Sequence, residues 1–286
     1  MNPRASVEGA KNWQINPGAW CREAGFVSSG PFVLTEWVHD EYMVYTKKPN
    51  YWDAENVKLQ KLRFMLSGDN TAVYTAYQAG DLDFMTRLPN DVIGSMQSRP
   101  DWHTCDAMGI VFICFNVKSP MFRGKTPEQA VAMRKAISML IDRQYIVDTV
   151  GQCNQKPANG FVPVDMSDGH GGVFKANGGV YNYPVTAVSE AGDELPGYYD
   201  FEVDVEGAVA LLKQAGFEFN ADNRLSARTP LSFEYLTNED STYVATAECI
   251  QQDLAAVGIN MTIRTCDWNV FLGERKNGRF DVARHG

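Results

Sequence analysis

A chain of 286 residues with 44% apolar content has room for one large domain or two ordinary ones, each with a sizeable core. Its formal charge of −9 argues against a nucleic-acid partner, which would call for clustered Lys and Arg, and the basic residues here are scattered. No run approaches the roughly 18 apolar residues of a membrane helix, and the start "MNPRASVEGAKNW" lacks the apolar core of an export signal.

The first strands announce themselves by alternation. "PFVLTEWV" (31–38) and "EYMVYTKKPNYW" (41–52) predict an antiparallel pair, the second ending at the Pro49-Asn50 turn. "VKLQKLRFML" predicts a third strand whose apolar parity changes near Lys61, where a bulge is expected. A helix follows, capped by Asp69 or Asn70 and stopped by Gly80. A short helix is expected over 91–97, then an apolar strand in "GIVFICFNV".

Thr126-Pro127-Glu128-Gln129 carries the marks of a capping box with proline in the first helical position. Met133, Ile137, Leu140 and Ile141 make one apolar face of that helix. A second short helix runs to Val150, with Gly151 as its stop. Residues 151–200 read as a long loop-rich segment, expected to cover a surface or a site. Regular alternation then begins: a helix 205–215, a strand 231–236, a helix from about 242 to 257, a strand 259–265, a helix capped by Asp267, and a strand from Phe280. Strand, helix, strand at this spacing predicts parallel strands joined by a right-handed crossover.

Six cysteines, at 21, 105, 114, 153, 249 and 266, form no C-x-x-C pair and sit mostly beside apolar residues. They read as free buried thiols, with a disulfide between distant cysteines left open. There is no phosphate-binding G-x-x-x-x-G-K-[ST], no G-x-G-x-x-G after a strand and no G-x-S-x-G elbow. Asp165, Asp168 and His170 could ligate a metal, but a glycine-rich exposed turn uses the same residues for backbone reasons and is the stronger reading. Asp81 and Asp83 read likewise as a turn after a helix, and His39, His103 and His285 lack metal spacing. No catalytic set, metal site or cofactor site emerges. What stands out is Trp268 with Arg275 and Arg284: a flat wall beside two forks of donors suited to a carboxylate. The competing reading makes Trp268 a core residue at a helix start and the arginines surface charges.

Several stretches together resemble the peptide-binding proteins of ABC importers, the family 5 extracellular solute-binding proteins. "SSGPFVLTEW" and "KKPNYWDAENVKLQKLRF" are similar to their G-x-G-P-[YF]-x-[LV]-x-x-[WY] and N-P-x-Y-W signatures. "AYQAGDLDF", "MRKAISMLIDRQYIV", "LLKQAGF", "LSFEYLTN" and "VGINMTIRTCDWNVFLGERKNGRFDVARHG" continue in family order, over nearly the whole chain, and resemble the oligopeptide- and dipeptide-binding branch.

The resemblance implies an α/β fold with an α+β first portion, in a periplasmic-binding-protein-like two-lobe arrangement that is incomplete at both ends. Residues 1–115 would then be a mainly antiparallel part of lobe I, and residues 116–286 most of lobe II, with β-α-β units. The family chain is longer at both ends, and its G-W-x-x-D segment, whose Asp pairs with the peptide amine, falls after Gly286. Carried over by position, Trp268, Arg275 and Arg284 match cavity-lining residues of oligopeptide-binding relatives, as does Tyr243. Phe112 and Cys114 fall on the strand that presents side chains and backbone to the ligand.

The function implied is a receptor outside the cytoplasm, membrane-anchored in its full form. It would bind an extended peptide between two lobes and deliver it to a membrane permease, with no covalent chemistry. A metal chelate, a sugar or haem is the alternative cargo, and a hydrolase is a distant one for want of a nucleophile and base. A sheet edge left open by missing segments would favour self-association.

Overall fold

The computed structural model describes residues 7–9, 14–16, 18–105, 107–158, 160–163, 165–174 and 202–286. The chain divides into two compact units, Met1–Pro89 and Asn90–Gly286. Most of the loop-rich segment expected over 151–200 therefore lies outside the described residues. Among the described residues no helix is long and apolar enough to cross a membrane.

The first unit holds an antiparallel sheet of β1 (Phe32–Val38), β2 (Tyr42–Lys47) and β3 (Lys61–Met65), in that order. Asp40 turns β1 into β2 at φ 64°, a conformation that Asp tolerates better than most residues. The bulge expected near Lys61 is not there. Residues Ala54–Asn56 form a 3₁₀ turn and β3 starts only at Lys61, so the change of parity precedes the strand instead of interrupting it. The register irregularity lies in β1, between Leu34 and Glu36. Helix α1 (Asn70–Ala79) follows. Asp69 caps it by accepting the amides of Thr71 and Ala72 at 2.8 and 3.3 Å, and Gly80 ends it at φ 82°.

The second unit begins with α2 (Asn90–Met96), upstream of the division at 115 read from the sequence, because β4 (Phe112–Phe115) joins the sheet of the second half. Helix α3 (Pro127–Leu140) has the full capping box, with Gln129 N–H donating to Thr126 and Thr126 N–H to Gln129. The short α4 (Arg143–Ile146) runs into a π-helical turn, Val147–Gly151. Then come α5 (Val205–Gln214), β5 (Ser232–Asn238), α6 (Ser241–Ala256), β6 (Asn260–Cys266), α7 (Trp268–Lys276) and β7 (Val282–His285).

Sheet order is β4-β7-β5-β6. β5 is parallel to both β6 and β7, as the strand–helix–strand spacing predicts, while β4 runs antiparallel to β7. Alternate residues of β5 face opposite sides of the sheet. Tyr235 points to α6, where it joins Ala247, Ile250 and Leu254 in the main core with Met133, Ile137 and Leu212. Leu236 points to the other side and packs on Phe271 of α7 and Ala283 of β7. The two crossover helices therefore cover opposite faces.

One carboxylate locks β7 into this sheet. Asp281 accepts hydrogen bonds from the Ser119 hydroxyl and, at 2.9 Å, from the Glu234 amide. Its own carbonyl accepts from the Asn116 amide at 2.8 Å, and the Asn116 side chain donates to the carbonyls of Gly278 and Phe280 at 3.0 and 2.9 Å. Ser119 is buried, so losing its acceptor leaves the hydroxyl proton without a partner, although the oxygen still accepts from the Met121 amide. Asp281→Ala is expected to destabilise the second unit by about 1–3 kcal/mol, read as a lower urea midpoint. A midpoint equal to that of the wild type would show that the clamp holds nothing.

Candidate functional site

The chain leaves the carboxyl ends of the adjacent strands β5 and β6 toward opposite faces. A parallel sheet opens a crevice at such a point, and ligands of α/β proteins bind there. The amino ends of α6 and α7 open at these strand ends, capped by Asp240 and Asp267. Their aligned dipoles favour negative charge nearby, and the caps already supply it to the first-turn amides, Asp240 to Thr242 and Asp267 to Asn269 and Val270.

Arg284 reaches this place from β7. Its residue is only 8% exposed. The guanidinium lies 3.6 Å from the centre of the Tyr243 ring and 5.7 Å from those of Trp268 and Phe271. Three aromatic faces stabilise a cation but do not neutralise it. Among the described residues no carboxylate pairs with Arg284, and its Nε–H is buried without an acceptor. Burying an uncompensated charge costs several kcal/mol, which makes Arg284 a candidate for an external anion.

Further buried polar atoms lacking partners lie on the same strand ends: Thr237 Oγ1 and Asn238 Oδ1 on β5, and His285 Nδ1 on β7. The parallel register that sets Leu236 against Ala283 runs on to these residues. Thr237 and Arg284 thus share one face of the sheet, Asn238 and His285 the other. Buried polar groups are nearly always satisfied inside folded proteins, which makes this cluster a candidate for external contacts.

Of the six residues singled out from sequence, three converge directly: Arg284, Tyr243 and Trp268. Tyr243 lies in the apolar phase of α6, but it is half-buried and stacks on Arg284, whereas Ala247, Ile250 and Leu254 are core. Trp268 is 49% exposed and so is no core residue; it caps the site's flank, tilted against Phe271 at 5.6 Å. Arg275 sits 5.1 Å from the Phe271 ring, at the far end of α7. Phe112 and Cys114 occupy the α7 face of β4. Phe112 stacks on His285 at 4.9 Å, and Cys114 packs toward Leu236, Phe271 and Ala283. Burial pushes the Cys114 thiol above its ordinary range, with Arg275 pulling it back. Burial likewise raises the Tyr235 phenol, against the opposing pull of Arg284.

Sequence reading missed Thr237, Asn238, His285 and the hub residue Phe271. The one available signal was the polar "TN" that closes the apolar run "LSFEYL", at a strand end where crevices form. It also missed Leu272, one turn beyond Trp268 and 41% exposed, which extends an apolar stripe along the outside of α7. The six cysteines are free, but none is fully buried as expected: five are half-buried and Cys105 is exposed. Asp168 accepts the amides of His170 and Gly172 at 2.7 and 2.9 Å, as in a turn. Among the described residues no three His, Cys, Asp or Glu side chains gather as a metal site would require.

Residues 15–286 match the model of the bacterial extracellular solute-binding proteins, family 5 middle, and the chain belongs to that family. It is 28% identical over 270 residues to the dipeptide-binding protein DppE of Bacillus subtilis, covering 94% of this chain and 44% of DppE. The murein tripeptide-binding protein MppA of Escherichia coli has a similar structure, with a TM-score of 0.75 at 23% identity over 99% of this chain and 48% of that one. Haemophilus influenzae OppA in complex with RPPGFSPFR gives 0.71 at 22% identity, over 99% and 49%. The chain thus spans about half the length of the relatives it matches.

If Arg284 is held in place for a ligand and not for stability, removing its charge should cost the empty protein nothing. Arg284→Met is expected to leave the unfolding free energy of the ligand-free chain unchanged or to raise it by up to about 2 kcal/mol, since apolar replacement of an uncompensated buried charge is commonly neutral or favourable. A loss of more than about 1 kcal/mol in urea unfolding would instead assign it a structural role.

Proposed function

We propose that the whole protein is the solute receptor of an ABC importer, binding extended peptides between two lobes outside the cytoplasm and delivering them to a membrane permease. The observation that carries this is the buried Arg284 cation without a carboxylate partner, in a crevice that also holds unpartnered polar atoms. In this reading Arg284 receives a carboxylate of the peptide. Trp268 and Leu272 wall a side-chain pocket, and Arg275 sets the charge and length that the pocket accepts. Backbone hydrogen bonds to the extended peptide supply affinity and hydrated pockets tolerate many sequences. The unit Asn90–Gly286 forms most of one lobe and Met1–Pro89 part of the other. No residue is asked to do covalent chemistry.

Relatives in the family carry other names, a probable deoxycholate-binding protein and a nickel-binding protein among them. Asn238 favours a peptide over such cargo. Its Oδ1 only accepts, so the ligand should bring an N–H close to its anionic group, which a peptide does with its amide and carboxylate.

In the whole protein, Arg284→Met is expected to weaken peptide binding by about 2–5 kcal/mol, roughly 30- to 5,000-fold, by calorimetric titration. The 286-residue chain alone should bind at about millimolar or weaker, because it spans only about half the length of the relatives it matches. Unchanged affinity in the variant would remove Arg284 from the site. Failure of the intact protein to bind any member of a peptide library would end the receptor reading.

The 286-residue chain should also self-associate. The bonds from Lys47 N–H to the Gln60 carbonyl and from Leu66 N–H to the Glu41 carbonyl set the alternation of β3. The backbone groups of Lys61, Arg63 and Met65 then face away from β2, along an edge with no strand beside it among the described residues. Phe64 and Met65 are exposed beside them, and such edges pair with other chains. Light scattering at rising concentration should show dimers or larger species, and a monomer throughout would refute this.

A further inference from the structure

We propose that His285 is a specificity-determining residue: it adds a second, charge-switchable contact that selects ligands with an acidic side chain. This rests on the reading of the crevice as a peptide site and concerns which peptides it prefers.

The geometry isolates the imidazole from every other task. Its ring lies parallel to Phe112, with centres 4.9 Å apart and planes at 15°. Phe112 is itself held edge-on by Phe161 at 5.0 Å and 82°. Stacking fixes the plane of the imidazole and leaves only its edge nitrogens for polar contacts. Nδ1 is buried and has no partner. A core histidine with a structural role would spend that nitrogen on a carbonyl or carboxylate. Here none takes it up among the described residues.

The charged and titratable groups around the imidazole can be named by element. On β7, Arg284 precedes it and projects to the opposite face. On β4, Cys114 follows Phe112 on the same face. Helix α7 carries Glu274, held by Arg264 and Arg279, with Arg275 and Lys276, and its cap Asp267 is already engaged by the amides of Asn269 and Val270 at 2.9 and 3.2 Å. Asn238 of β5, on the same face of the sheet, is uncharged, and its buried Oδ1 has no partner. Among the described residues no carboxylate pairs with His285.

An acidic side chain of the ligand placed here would be the missing partner. Histidine is the side chain that changes charge between about pH 5 and 8. A ligand carboxylate beside the ring favours its protonated form, so binding draws a proton onto it. By linkage, affinity for an acidic peptide rises as pH falls, down to the point near pH 4.3 where the ligand's own glutamate protonates. A neutral isostere gains nothing.

The test uses the whole protein and two peptides of one sequence that differ only by Glu or Gln at a single internal position, titrated at pH 5.5 and pH 8. The wild type should bind the Glu peptide about tenfold tighter at the lower pH, the factor that 1.4 kcal/mol of attraction gives, and the Gln peptide within about twofold. His285→Gln keeps a hydrogen-bonding side chain without the charge. It should abolish the pH difference for the Glu peptide. A measurement on the wild type alone guards against a variant that folds poorly: titration at pH 6.5 in buffers of different ionisation enthalpy should show proton uptake with the Glu peptide and none with the Gln peptide. Equal pH dependence in wild type and His285→Gln, or no proton uptake, would overturn the proposal while the peptide reading stands. Absence of binding by either peptide at either pH would overturn both.

Discussion

The arrangement of the second unit depends on where β7 is inserted. The strand could have extended the sheet beyond β6, as simple succession would have it. Instead the chain passes from β6 over β5 by way of α7 and lays β7 between β5 and β4. This return brings Arg284 to the middle of the sheet, against the amino end of α6 and within reach of α7. It also buries the strand on both faces, with Val282 in one cluster and Ala283 in the other. Asp281 and Asn116 lock the beginning of β7, whose far end carries Arg284 and His285.

Helix α7 is attached differently. Phe271 is its one wholly buried side chain, and a charge network holds its last turn. Arg264 of β6 contacts Glu234 of β5 at 2.7 Å and Glu274 of α7 at 3.1 Å, and donates to the Arg279 carbonyl at 2.7 Å. Glu274 takes Arg279 as well, at 2.7 Å. These two arginines hold the Glu274 carboxyl below its usual range. Groups so exposed contribute modestly to stability, yet they fix the helix at one end and Phe271 near its middle. Trp268 and Leu272 are thereby held outward on a helix whose inner side is occupied.

Stability and function pull apart at the same strand ends. A protein selected for stability alone would pair or replace Arg284, Thr237, Asn238 and His285. Leaving four buried polar groups without partners is costly in a unit whose remaining core is well packed around Met133, Ile137, Leu212 and Leu254. The cost makes sense if the partners arrive with a ligand, in the way binding sites trade stability for complementarity.

Much of this was legible in the amino-acid order because it is local. The capping box at Thr126, the caps Asp69 and Asp267, the glycine stops and the 3.6- and 2-residue apolar periods act over one or two turns, and they set the elements nearly where they lie. The β5-α6-β6 crossover followed too, since two strands joined by a single helix have little choice but to run parallel. Strand order did not follow. Whether β7 extends the sheet or returns to its middle is settled by which faces it must bury, a matter of contacts between residues 112–115, 232–238 and 282–285 that no local pattern encodes. The same holds for the site. Arg284 and Trp268 could be noticed as chemistry in search of a partner, but Thr237, Asn238 and His285 are ordinary polar residues in sequence. Their meaning comes from burial without hydrogen bonds, and only the packed tertiary structure decides what is buried and what is left unpaired.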